Sequence, residues 1–340
     1  MVKFLNISKK GALGILCLAR PSALNALNQA MIDGMLAALT HWEERAEVQR
    51  ILICGEGRKA FCSGGDVKAL ASLGLGQNDT VKQHYFRSEY RLDYHLATCK
   101  QSTLALMGGL TMGGGAGLAI FADQRLVHEN STFAMPEVAI GLYPDVAASY
   151  FLSRLKGFAG RYLGMTGARI GVRDMLDLGL ANVYIPKDKW EMVTRQAWEG
   201  DWTFQKYDHD SLPKGTIGKN YETIEYCFSA DNVNDIYTRL EQAGDFGKET
   251  LALLRTRCAL SQKVAFEAQK RGQAMSLEEV FEMENRLSHA FIKEPDFYEG
   301  VRAVLIDKDN KPQWRYAGLK DVTAAKVESM FTQPCPALGF

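Results

Sequence analysis

A chain that places Met112-Gly113-Gly114-Gly115-Ala116-Gly117 just behind an apolar run has few ways to fold there. The run, Thr103 to Met107, has the length and apolarity of a buried strand, and Gly108 opens the glycine-rich stretch that follows. A second cluster, Phe61-Cys62-Ser63-Gly64-Gly65-Asp66, comes after another short apolar strand, Ile51 to Cys54, which Gly55 and Gly57 close. Glycine accepts positive φ and lets a ligand approach its N–H. Where such a turn leads into a helix, it also presents unpaired amides and a partial positive charge. Two of them face to face can hold an oxyanion between two N–H groups. Two tight turns with no ligand fit the same residues. The second cluster is not a phosphate loop, because no Gly-Lys-Ser/Thr follows it. It also lacks the third glycine of the dinucleotide fingerprint G-x-G-x-x-G.

Around these turns the pattern alternates. Residues 12–18 predict a buried strand and Arg20-Pro21-Ser22 a turn. Leu27, Met31, Met35, Leu39 and Trp42 recur at near-helical spacing. Arg125 to His128 and Thr132 to Ala134 predict two more short strands, and helical patterns dominate after Pro144. Strands separated by helices and glycine turns predict an α/β fold. The strand-rich part spans residues 1–186. Residues 187–340 predict a mainly helical C-terminal region packing on that core, with a polar loop from Trp202 to Lys219. Ser276-Leu277-Glu278-Glu279 has capping-box spacing and opens a helix with Val280, Met283, Leu287 and Phe291 on its apolar face.

Composition narrows the function classes. Forty basic residues balance forty acidic ones, so no net field favours nucleic acid. Seven cysteines without CxxC spacing predict reduced, mostly buried thiols in a cytosolic protein. No apolar run approaches the ~20 residues that span a bilayer, which argues against a membrane partner. The stretch from Met1 to Asn6 has no apolar signal core, and the expectation is a soluble, cytoplasmic protein. Six histidines without ligand spacing predict no metal site. Cys62 reads as a packed thiol beside its turn, since nothing supplies a partner histidine for a nucleophile.

One acidic pair stands out. Glu137 and Asp145 sit in the mostly apolar stretch Met135 to Asp145. Ionised carboxylates in such company are paired or functional. Desolvation there raises their pKa toward the range of acid–base chemistry. Asp145, just after Pro144, also fits a plain helix cap.

In this order, the pieces resemble the crotonase (enoyl-CoA hydratase/isomerase) superfamily. Ser22-Ala23-Leu24-Asn25-Ala26-Leu27 is similar to that family's first CoA-binding loop, and Phe61 to Asp66 to its F-x-x-G-x-D turn. Gly113-Gly114-Gly115 is similar to its second glycine turn, and Pro136-Glu137 to its acidic segment. Phe133-Ala134-Met135-Pro136-Glu137 with Gly141-Leu142-Tyr143-Pro144-Asp145-Val146 narrows the resemblance to the 3-hydroxyisobutyryl-CoA hydrolases. The run Asp296 to Lys308 and the tail Trp314 to Val322 resemble theirs as well. The match is poorest across 187–225.

The resemblance implies a spiral of ββα turns and hydrolysis of an acyl-CoA thioester, 3-hydroxyisobutyryl-CoA above all, as in valine breakdown. Amides of Gly65 and Gly114 would hold the thioester oxygen. Glu137 would be general base or nucleophile, and Asp145 would bind the 3-hydroxyl or orient water. Glu89 matches a substrate contact, and a solvated helix charge is its other reading. Ala23 and Leu24 would meet the adenine, with Gly64 and Asp66 close to the thioester. The partner is a small acyl-CoA. CoA is part of substrate and product, and no metal or further cofactor is implied. Homo-oligomers, often trimers through C-terminal helices, are frequent in the superfamily. Hydratases carry a second catalytic glutamate two residues past the triple glycine, where this chain has Gly117. An enoyl-CoA isomerase or hydratase on the same fold is the competing reading, and a non-catalytic acyl-CoA-binding protein the third.

Overall fold

The computed structural model describes residues 2–205 and 207–340. Met1, in the N-terminal stretch just discussed, and Lys206, in the expected polar loop, lie outside them. The strands are β1 Leu5–Lys10, β2 Leu13–Leu18, β3 Arg50–Gly55, β4 Ala60–Cys62, β5 Ser102–Leu106, β6 Leu110–Met112, β7 Gln124–Val127, β8 Thr132–Ala134, β9 Ile170–Gly171 and β10 Val183–Tyr184. They form two sheets, ordered β1-β2-β3-β5-β7-β10 and β4-β6-β8-β9. Three times in succession the chain lays one strand in the larger sheet and the next in the smaller. The pairs are β3 and β4, β5 and β6, then β7 and β8. Helical segments follow each pair, so the repeat is the expected ββα turn.

The apolar runs explain the larger sheet. All six residues of β2 are buried, and it pairs in parallel with β3, which pairs in parallel with β5. Parallel strands covered on both faces read as continuous apolar stretches. Strand β1 pairs antiparallel with β2 and was not foreseen. Only its Leu5 is buried, and five exposed residues follow, as suits an edge. Leu13, Ile15, Leu52, Leu104, Leu106 and Ile185 build one core cluster. The expected polar loop contributes Trp202, Phe204 and Tyr207 to that cluster. Among the described residues, the loop is irregular apart from the short helix Thr216–Lys219.

The chain sorts into two compact units. One comprises Met1–Gly65, Arg91–Phe133 and Ile170–Gly218, and the other Asp66–Tyr90, Ala134–Arg169 and Lys219–Phe340. Neither is a single stretch of sequence, and residue 186 falls inside the first. Within the first, helix Gln29–Arg45 starts at Asn28, whose side chain accepts the Met31 amide. Its buried residues include Met31, Met35, Leu39 and Trp42. The second unit is built of helices. Helix Leu277–Phe291 opens with the expected capping box of Ser276 and Glu279. An ideal Cβ on Gly300 would lie 2.3 Å from the Ile140 carbonyl carbon. That close backbone approach fixes the turn that carries Glu137 against helix Pro295–Val301. Among the described residues, no helix is long and apolar enough to cross a membrane.

Candidate active site

The first unit holds the glycine turns. Cys62 ends β4, and Gly64 follows at φ 102°. An ideal Cβ on Gly64 would stand 3.2 Å from the Met112 carbonyl and 3.5 Å from the Gly114 amide. A Cβ on Gly115 would stand 2.6 Å from the Cys62 carbonyl. The two clusters therefore pack against each other, backbone to backbone, tightly at Gly64 and with no room for a Cβ at Gly115. Gly114 is the first residue of helix Gly114–Ala119, so its amide has no acceptor in a preceding turn. The bridge between Leu27 and Gly65 uses the Leu27 amide and the Gly64 carbonyl, 2.9 Å apart. The Cys62 thiol donates to the Asn25 carbonyl at 3.2 Å, inside the core, as the packed-thiol reading expects.

Ala23 and Leu24 are tied to the same place. The Ser63 amide donates to the Leu24 carbonyl at 3.0 Å, and the Ser63 hydroxyl to the Ala23 carbonyl at 3.4 Å. Behind them lies Asn25, a residue that sequence reasoning had treated only as part of a motif. It is fully buried at φ 58°, a left-handed conformation that asparagine tolerates. Its side chain accepts the Arg20 amide and donates to the Glu56 and Ala60 carbonyls. Asp66 caps helix Val67–Ser72 by accepting the Ala69 amide at 3.2 Å.

Position 117 is closed to a larger side chain. A Cβ there would lie 2.5 Å from a carboxylate oxygen of the fully buried Asp93. Gly117→Glu is therefore expected to destabilise the protein by about 1–3 kcal/mol through overpacking, with like-charge repulsion added. Thermal unfolding checks this, and the variant should gain no enoyl-CoA hydration.

The second unit gathers carboxyl groups. Glu137 opens a 3-10 turn, Glu137–Ile140, which Gly141 ends in a left-handed conformation. Its side chain is buried, and Oε2 has no hydrogen-bond partner among the described residues. Burial pushes its pKa well above the usual carboxylate range, with the charge of Asp145 adding to it. Asp145 is also buried and accepts the Tyr90 hydroxyl at 2.9 Å. Burial raises it to about 7, against the lowering pull of that bond. The plain cap reading fails. Helix Ala148–Phe151 has Ala147 at its N-cap and no side-chain cap, and Asp145 meets it only through its carbonyl. Glu89 lies on helix Asp79–Thr98 at 2 % exposure, which excludes a solvated charge.

A third acid was missed. Glu284 is fully buried on helix Leu277–Phe291. It accepts the Ala147 amide at 2.7 Å and the Ser149 amide at 3.0 Å, and its carbonyl accepts the Tyr143 hydroxyl at 2.6 Å. Burial raises its pKa to about 8. The signal was there. Residues 280, 284, 287 and 291 share one helical stripe, and three of them are apolar. Tyr90 and Tyr143, their hydroxyls 3.2 Å apart, complete the cluster. Burial first, and then Asp145, hold both phenols well above their ordinary range, so they remain O–H donors. The Tyr143 hydroxyl thus meets both the Glu284 carbonyl and the Tyr90 hydroxyl.

These shifts have a consequence for stability. Asp145 titrates near 7 when folded and near its ordinary 3.8 when unfolded, so the folded state holds more protons between these values. Its stabilising contribution is full below about 3.8 and is lost as pH rises through 7. Asp145→Asn should therefore melt above the wild type at pH 8, and the gap should shrink toward pH 4. Thermal scans across pH check it.

Known proteins share this chain's sequence and fold. The enoyl-CoA hydratase/isomerase family model matches residues 13–331. The mitochondrial 3-hydroxyisobutyryl-CoA hydrolase of Gallus gallus is 40% identical over 338 residues, covering 96% of this chain and 88% of that one. That of Homo sapiens is 37% identical over 340 residues, covering 96% and 87%. Among solved structures, a carnitinyl-CoA dehydratase from Mycobacterium thermoresistibile superposes at TM-score 0.93 with 32% identity, covering 99% of both chains. An enoyl-CoA hydratase from Rhodobacter sphaeroides gives 0.91 with 34% identity, covering 97% of both.

Proposed function

Because the chain belongs to the enoyl-CoA hydratase/isomerase family, we propose that it hydrolyses 3-hydroxyisobutyryl-CoA to 3-hydroxyisobutyrate and CoA, a step of valine breakdown. The observation that carries this reading is the acid pair. Glu137 is desolvated with one oxygen unbonded, and Asp145 is held by a tyrosine. No carboxylate stands at position 117 to serve as a second hydration group.

The reaction then needs little else. The amides of Gly65 and Gly114 take the thioester oxygen as its carbonyl becomes tetrahedral. One such donor is worth about 2.7–4 kcal/mol in the transition state. Ionised Glu137 either removes a proton from the attacking water or attacks the carbonyl carbon itself. In the second route the mixed anhydride is opened by water. In both, the C–S bond breaks, the thiol leaves as CoA, and water supplies the hydroxyl of the new acid. On this reading Asp145 receives the 3-hydroxyl, Glu89 serves the acyl group, and Ala23, Leu24, Gly64 and Asp66 serve CoA. No metal or cofactor takes part.

The test offers the protein a 3-hydroxyacyl-CoA and an enoyl-CoA in parallel. Thiol release from the first, without consumption of the second, supports hydrolysis. Enoyl-CoA conversion without thiol release would replace it with the single-carboxylate isomerase reading, for which Glu137 alone suffices. For the compartment, we keep the cytoplasm as the proposal, although the relatives carry mitochondrial names. Co-fractionation with a mitochondrial matrix marker would overturn it. Self-association is likewise a proposal, read from the mass in solution.

A further inference from the structure

The segment after Pro144 is held in an unusual way. Val146 has φ 54° and Ala147 φ 64°, two successive non-glycine residues in the left-handed region. Branched valine is a true outlier there. Both residues are fully buried. Such a corner persists only where its surroundings over-determine it. Besides backbone bonds from Ala148, Tyr150 and Phe151, one side chain holds it. The carboxylate of Glu284 takes the Ala147 amide on one oxygen and the Ser149 amide on the other, at 2.7 and 3.0 Å. Its own carbonyl takes the Tyr143 hydroxyl. Glu284 thus grips the chain on both sides of Pro144-Asp145. Phe291, two turns on along the same helix, stacks on the Tyr143 ring at 5.2 Å.

The arrangement also divides labour between two acids. A short helix begins at Ala148, and the alanine at its N-cap offers no side-chain acceptor. Glu284 supplies the acceptors instead. The Asp145 carboxylate is left to the Tyr90 hydroxyl.

We propose that Glu284 is a positioning residue for the hydrolysis: by holding the left-handed Val146-Ala147 corner through two amides, it keeps the Asp145 carboxylate at the Tyr90 hydroxyl and in the site. This rests on the functional reading above. A displacement of about 1 Å in a site residue is enough to lower turnover up to about 100-fold. Glutamine at 284 keeps one acceptor and loses the other. Glycine at 147 removes the penalty of the left-handed conformation and lowers the need for the clamp.

The experiment compares wild type, Glu284→Gln, Asp145→Asn, the double variant Asp145→Asn/Glu284→Gln, and Ala147→Gly/Glu284→Gln. Thiol release from 3-hydroxyisobutyryl-CoA and thermal unfolding are followed for each. We expect Glu284→Gln to lower kcat about 10–100-fold with KM within about threefold. In the Asp145→Asn background the same change should cost less than about threefold, because the two act as one unit. Ala147→Gly should restore at least part of the lost kcat. An unchanged kcat in Glu284→Gln would overturn the proposal, and so would an equal loss in both backgrounds. If Glu284→Gln unfolds, the glycine double variant decides: a folded but inactive protein without rescue also overturns it. A wild type that releases no thiol removes the functional reading itself and is told apart by that first control.

Discussion

Glu137→Gln should lower thiol release from 3-hydroxyisobutyryl-CoA by about 10²–10⁴-fold while leaving KM and the melting temperature close to the wild-type values. The side chain keeps its size and its place in the buried 3-10 turn, so the packing around it is preserved. What it loses is the proton acceptor. An amide can neither deprotonate water nor act as a carboxylate nucleophile, so the variant is silent in both routes. The melting temperature has a reason not to fall. The wild-type carboxyl is desolvated and lies near the Asp145 charge. A neutral amide removes that penalty, and stability rises at the expense of activity. The wild-type rate itself should climb with pH from the acid side, because burial holds Glu137 protonated beyond the usual carboxylate range. That limb reports the titration of the cluster rather than of one residue, since Asp145 and Glu284 ionise close by at about 7 and about 8.

Asp145→Asn carries the second large effect, and a substrate pair exposes it. A site built to hydrogen-bond a hydroxyl rejects an analogue without one, because its own polar group is then buried unpaired. The wild type should favour 3-hydroxyisobutyryl-CoA over isobutyryl-CoA by about 10³-fold or more in kcat/KM. The variant should lose roughly 10²-fold or more on the hydroxylated substrate. On isobutyryl-CoA it should stay within a few-fold of the wild type, so most of the preference disappears. Equal losses on both substrates would instead make Asp145 a partner of the water. Tyr90 sets the direction: its hydroxyl donates to Asp145, leaving the other carboxylate oxygen as the natural acceptor for a second donor.

Much of the fold was legible because burial on both faces writes itself as unbroken apolar sequence. Strands β2, β3 and β5 appear in that form. β1 does not, because its one buried residue, Leu5, leaves no pattern over Lys9 and Lys10. β9 and β10 are two residues each, too short for any period to show. In the site, Glu137 and Asp145 could be picked out as charges in apolar company. Their environment settled what spacing could not, since Asp145 was equally suited to a cap until Glu284 was seen in that role. Glu284 itself comes from a helix nearly 140 residues further on, and the pairing of two such segments is a tertiary fact. Asn25 is legible only through the carbonyls of Glu56 and Ala60 that it ties down. Gly117 could be read as a missing carboxylate. That Asp93 fills the space a side chain would need became visible only in three dimensions.

The most direct measurement is thiol release in a single turnover, with enzyme in excess over 3-hydroxyisobutyryl-CoA, for wild type and Glu137→Gln side by side. One equivalent of CoA released rapidly by the wild type, and almost none by a folded, substrate-binding Glu137→Gln on the same timescale, is the predicted result. Equal release by both proteins, or none by either, would contradict hydrolysis driven by Glu137.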